Sequence, residues 1–157
     1  HLPTPRRRQR QMCIRDRNSL SRSPCPLANS LDILGDKWTL LIIRDLLITD
    51  RREFGHFLYA GEGISTNILT ERLERLQHAG LITKQPHPEH GKKFIYELTD
   101  SGLALAPTII EMTLWGHRHL NNTDMPRALL SMMKNKREKL LLSINRREPL
   151  IRIIDGD

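Results

Sequence analysis

The sequence predicts a mostly helical α+β fold built as one small domain with appendages. Apolar residues recur at helical spacing in five segments, and two short β-prone runs flank a Pro- and Gly-marked tip. The chain has 157 residues, of which 38% are hydrophobic and 27% charged, so a packed core is expected and wholesale disorder is not. No apolar run approaches the roughly 18–20 residues that span a bilayer. The start of the chain lacks the apolar stretch of a signal peptide, so a cytoplasmic protein is expected. Two cysteines, Cys13 and Cys25, make neither a disulfide framework nor a four-ligand zinc site by themselves.

The elements follow in order. Leu27, Leu31 and Leu34 share one face, so 26–34 reads as a short helix with Pro26 in its first turn and Gly35 at its end. Asp36 caps a second helix from Lys37 to about Leu47, nearly all apolar and expected to be the most buried. A polar turn, 50–53, leads to a third short helix over 53–59, and Gly61-Glu62-Gly63 is a flexible break. Ser65 opens a helix over 66–78, with Gly80 at C′. On a helical wheel Leu69, Leu73 and Leu76 form its core stripe, while Asn67, Thr70, Glu71 and Glu74 lie opposite and Arg72 and Arg75 flank them. Strands are expected over 81–85 and 94–98, joined by a long, partly basic tip. Thr99-Asp100 caps a final long helix reaching about His119. The third and fourth helices form a helix-turn-helix, and the two-stranded hairpin behind it is a wing.

Net charge is +7, but its distribution matters more than its sum. Residues 1–17 carry +5 of it, in six arginines and one aspartate, whereas 25–121 has a net charge of −2 and 122–157 of +3. An arginine arm of that kind tracks phosphates. The stretch Gln11-Met12-Cys13-Ile14-Arg15-Asp16, however, looks like one reading frame of a common transposon-end sequencing adapter. Residues 1–17 are therefore expected to be a non-native, disordered segment and 18–24 a lead into the domain. A nucleic-acid reading must rest on where the central charges sit.

Five linked motifs give the chain a resemblance. They are Cys25-Pro26, then 34–41 (LGDKWTLL), 62–73 (EGISTNILTERL), 96–102 (YELTDSG) and Trp115-Gly116. In this order and spacing, the chain over about 25–121 resembles the HxlR-type family of bacterial and archaeal winged helix-turn-helix transcription regulators. The resemblance implies a recognition helix at 66–78, a wing contacting DNA, no cofactor, and a long C-terminal dimerisation helix. Homodimerisation would use the first and last helices, whose apolar faces, including Leu31, Leu34, Leu103, Ile110 and Trp115, exceed what one small core needs. In one respect the chain departs: many members carry arginine before the phenylalanine of the third helix, where Glu53 stands here.

The DNA-contacting set expected is Arg51, Arg52, Ser65, Thr66, Asn67, Thr70, Arg72, Arg75, Lys92 and Lys93. Asn67 can pair bidentately with adenine, and Thr66 and Thr70 can meet thymine methyls or base edges. The cations of the turn, helix and wing would neutralise phosphate, although any one of them alone reads as plain surface charge. Glu71 and Glu74 repel phosphate, so the N-terminus of the helix should enter the groove. Cys25 reads either as a small half-buried hydrophobe or, just before a helix N-terminus that stabilises thiolate, as a redox or electrophile sensor. Some family members are similar in sensing oxidants, quinones or aldehydes there. His87/His90 and His117/His119 lack a third ligand at metal spacing, so no metal is expected. No phosphate loop or nucleophile elbow is present in the sequence, and an enzyme is not expected. Residues 122–157 form an extension with a helix expected over about 128–144. The reading is a homodimeric regulator, a repressor, of double-stranded DNA at a pseudo-palindromic operator, responding to an oxidant or small-molecule effector and with no membrane partner. The rival is a winged-helix protein-interaction module that never touches DNA.

Overall fold

A computed structural model describes residues 23–148, and the expectations for 1–17 and 18–22 lie outside the described residues. The chain divides after Gly35 into two compact units. In the first, α1 (Pro26–Leu34) has Cys25 at its N-cap and Pro26 in its first turn, and the Gly35 N–H closes it on the Leu31 carbonyl. Leu27 and Leu31 are exposed.

The second unit opens with α2 (Lys37–Ile48), whose N-cap Asp36 accepts from the Trp38 and Thr39 N–H groups. Then come α3 (Phe54–Leu58), α4 (Thr66–His78), β1 (Ile82–Pro86) and β2 (Phe94–Leu98). The strands are antiparallel, in register from Ile82 opposite Leu98 at the base to Pro86 opposite Phe94 near the tip. The free edge of β2 is continued by the turn before α3. The Tyr96 N–H donates to the Arg52 carbonyl at 2.8 Å, and Glu53 bridges to Ile95. The wing and the helix-turn-helix are thereby sewn together.

Helix α4 ends as its sequence predicts. Gly80 adopts φ +73°, and the Leu81 and Gly80 N–H groups bond back to the Leu76 and Gln77 carbonyls, the paired bonds of a left-handed cap. The core joins Ile42, Ile43, Leu46 and Leu47 of α2 to Leu69, Leu73 and Leu76 of α4, Leu98 of β2, and residues of the C-terminal helices. Leu69 and Leu76 are wholly buried. Each such leucine contributes roughly 1.5–3 kcal/mol through water excluded from its surface.

Two expectations are corrected. The single helix over 100–119 is two, α5 (Asp100–Leu103) and α6 (Ala106–His119). Pro107 near the start of α6 has no N–H, and its ring would collide with the Leu103 carbonyl of a continuous helix. The single helix over 128–144 is also two, α7 (Arg127–Asn135) and α8 (Arg137–Asn145), broken at Lys136 with φ −127° and ψ 35°. There a run of cations and Asn135 weakens the helix, and each half buries its own apolar face: Leu129, Met132 and Met133 in one, Leu140 and Ile144 in the other. Gly102 lies where only glycine fits, since an added Cβ would stand 2.2 Å from the Leu81 carbonyl oxygen.

Candidate nucleic-acid interface

The exposed face of α4 is the centre of the site. With Leu69, Leu73 and Leu76 buried, Ser65, Thr66, Asn67, Thr70, Glu71, Glu74 and Arg75 remain on the surface. Ser65 caps the helix by accepting from the Ile68 N–H, and the Thr70 hydroxyl donates to the Thr66 carbonyl at 2.9 Å. Thr70 therefore presents its methyl group rather than a free donor.

Two ion pairs hold α4 in place. Asp36 Oδ1 accepts from Arg72 Nε at 2.9 Å, while its other oxygen accepts from the Thr39 hydroxyl at 2.6 Å. Burial pushes the Asp36 carboxyl up, but the hydrogen bonds from Thr39 and Arg72 outweigh it and hold it below the ordinary carboxylate value. On the other side, Arg44 grips Glu62, in the loop entering α4, at 2.8 Å. The same guanidinium contacts the buried carboxylate of Asp45 at 2.8 Å, and Arg51 lies 3.4 Å from that carboxylate. Asp36 and Arg44 are thus positioning residues that the sequence reading missed. The Asp36 cap and the adjacent Arg44 and Asp45 are visible in sequence, but the distant partners Arg72 and Glu62 are not.

The expected cations divide into two kinds. Arg72 is bonded to Asp36 and Glu71 with its side chain 18% exposed, so it fastens α4 to the α2 cap. Arg52 is likewise engaged, with Asp50 at 3.2 Å and Glu97 at 3.1 Å. Lys93 Nζ lies 2.8 Å from Glu53, which also faces His87 at 3.6 Å. The Lys93 hydrogen bond holds the Glu53 carboxyl below its ordinary value. Lys92 is exposed at the wing tip, and Arg51 is half-exposed while paired with Asp45. A further wing cation was missed: Lys84 lies 4.2 Å over the Phe94 ring and faces Tyr96 across the strand pair. The hairpin register alone would have found it.

The expected interface residues also separate. Trp115 is 55% exposed, beside exposed Met112 on α6, and Leu31 is exposed on α1. Leu34 is half-buried. Leu103 and Ile110, by contrast, are core residues of the chain itself, Ile110 lying on the face of α6 that packs inward with Ile109 and Leu114. Cys25 is an exposed free thiol whose N–H donates to the Ser23 hydroxyl. Among the described residues no group of three or more His, Cys, Asp or Glu is placed to hold a metal, and no helix is long and apolar enough to cross a membrane.

Comparison with known proteins bears on the same region. The HxlR-like helix-turn-helix family model matches residues 33–124. The HTH-type transcriptional regulator sll1512 of Synechocystis is 35% identical over 107 residues, covering 68% of this chain and 78% of that one. YdeP of Bacillus subtilis, also an HTH-type transcriptional regulator, is 31% identical over 64% of this chain and 77% of its own. Among solved structures, the reduced form of the transcriptional regulator YodB from B. subtilis aligns with TM-score 0.51 and 32% identity, over 65% of this chain and 100% of that one. The redox regulator HypR in its oxidized form aligns with TM-score 0.54 and 27% identity, over 64% and 100%.

Proposed function

The chain belongs to the HxlR-like helix-turn-helix family and is a transcriptional regulator rather than an enzyme; from that premise we propose that it represses transcription as a homodimer on a pseudo-palindromic operator. The observation that carries this reading is the N-terminal half of α4. It offers Ser65, Thr66, Asn67 and Thr70 to solvent on a helix whose back is locked by buried leucines and by the Asp36–Arg72 pair. Such a rigid, polar, capped end suits insertion into a major groove, with Asn67 on adenine and the threonine methyls on thymine. Phosphate contacts come from Arg51, Arg75, Lys92 and, when Glu53 releases it, Lys93. Arg52 and Arg72 hold the frame. Dimerisation uses the exposed apolar residues of α1 and α6, Leu31 and Trp115 foremost, and sets two recognition helices about one DNA turn apart.

Cys25 is the proposed sensor of oxidants or electrophiles. An exposed thiol at a helix N-terminus supports this, as does similarity to a regulator solved in a reduced form and to one described as a redox regulator. With Cys13 inside the segment read as non-native, oxidation would form an intersubunit disulfide or a small-thiol adduct.

The test is binding of residues 18–157 to the DNA upstream of their own gene and to random DNA across a salt series, with the full chain alongside. Preferred, salt-sensitive binding by both supports the regulator. Absence of preference at every salt concentration moves the reading to a protein partner. The exposed Glu71 and Glu74 and the internal pairing of Arg52, Arg72 and Lys93 favour that second reading.

A further inference from the structure

Residues 125–148 lie beyond the segment that the family model matches, 33–124, and yet they are well packed. Met133 and Leu140 are almost wholly buried, α7 packs on α6, and α8 packs on α5 and α6. Arg137 of α8 pairs with Glu111 of α6. The chain then ends α8 in an unusual way. The Arg147 and Glu148 N–H groups bond back to the Ile144 and Ser143 carbonyls, the paired bonds that usually place glycine at C′. Here that position is Arg147, at φ +59°. An arginine in left-handed backbone is tolerated only where its surroundings hold it.

What holds it is the base of the wing. Arg147 Nη1 donates to the Leu98 carbonyl at 2.6 Å, and Nη2 to Asp100 at 3.3 Å. Leu98 is the last residue of β2, and its carbonyl lies on the strand edge away from β1, because the next N–H, of Thr99, is turned the other way to the Leu81 carbonyl. That is the same edge which Arg52 occupies at Tyr96. Leu98, Arg52, Arg147 and Ile144 line one cleft with Leu46 and Leu103. The outer edge of β2 is therefore closed twice, by backbone near its middle and by the Arg147 guanidinium at its base.

We propose that the C-terminal helix pair is a strut for the wing, with Arg147 as the positioning residue that sets the wing against α4. The consequence for DNA rests on the reading of the wing as a phosphate contact. The strut itself does not.

Arg147→Gly separates the two duties of this residue, since glycine suits the helix cap and lacks the tether. In the free full-length protein, amide hydrogen exchange over 94–98 should quicken about tenfold, while amides in the middle of α4 keep their rate and Arg147→Lys recovers part of the protection. Binding to a 30-base-pair duplex from upstream of the gene should show a salt slope lower by about 0.9 for each phosphate that the wing no longer neutralises. In a background of Lys92→Ala with Lys93→Ala, Arg147→Gly should weaken binding by less than a further twofold. Unchanged exchange in 94–98, or equal quickening in α4, overturns the strut. Selective quickening with the full weakening repeated in the Lys92→Ala, Lys93→Ala background overturns its action through these wing lysines. If the Lys92→Ala, Lys93→Ala protein binds DNA like the wild type, the reading of the wing tip as a phosphate contact fails, and exchange still decides the strut.

Discussion

At Asn67 the sequence suggests a base contact, and exposure on a rigid helix leaves the amide available to make one. Asn67→Ala should lose about 1–3 kcal/mol on the preferred duplex and little on random DNA, as read by competition binding. Equal losses on both would defeat that assignment. Asp36 is a different kind of residue, a cap and an ion-pair partner at once. Asp36→Ala should destabilise the fold by about 1–3 kcal/mol in urea melts. Because the folded carboxyl lies below its ordinary value, its contribution is full above about pH 4 and fades as the pH falls through the folded value. The gap between wild type and Asp36→Asn should narrow in that acid range, and a gap that widened there would contradict it. Glu53 stands where the family more often has arginine, and it holds Lys93. Glu53→Gln should free that lysine, tightening binding to any duplex and steepening the salt slope by up to about 0.9.

Among the elements, α4 was the most legible. Its cap, its leucine stripe and its terminal glycine are all local signals, and the helix runs over 66–78 as read. Leu69→Ala should cost about 2–5 kcal/mol in chemical denaturation, since the side chain is wholly buried between helices. The later helices were less legible. Pro107 was in plain view at 107, yet helix periodicity on both sides masked the break it causes. The apolar stripe over 129–144 fits one continuous helix, and packing on α5 and α6, with the cationic run at 134–139, makes two shorter ones preferable. The wing was read as a hairpin from its flanking runs and tip. Its third edge at Arg52 and Glu53 was invisible, because a two-residue bridge has no periodicity.

For the whole molecule, the exposed tryptophan on α6 is the feature a lone protomer explains least. Trp115→Glu should shift sedimentation to the monomer and lower operator affinity, with helical content unchanged. A variant that remains dimeric would remove α6 from the interface. Cys25→Ser should abolish any loss of DNA binding provoked by hydrogen peroxide or a quinone, while leaving binding under reducing conditions intact.

The helices through α4, the hairpin, the helix-turn-helix and the family were determined by the sequence alone, because capping, periodicity and turn chemistry act within a few residues of each other; the breaks in the later helices were not. Tertiary structure decided which cations are tied to distant partners. Arg72 finds Asp36 across 36 positions, Lys93 finds Glu53 across 40, and Arg147 finds the Leu98 carbonyl across 49. Such pairs form only when the chain closes long loops, and nothing in the spacing of residues announces a partner that distant. Packing likewise decided which face of α6 is covered, burying Ile110 and leaving Trp115 outside. Local chemistry thus specified the elements of a helix-turn-helix domain, and non-local packing chose which side chains stay exposed on its surface.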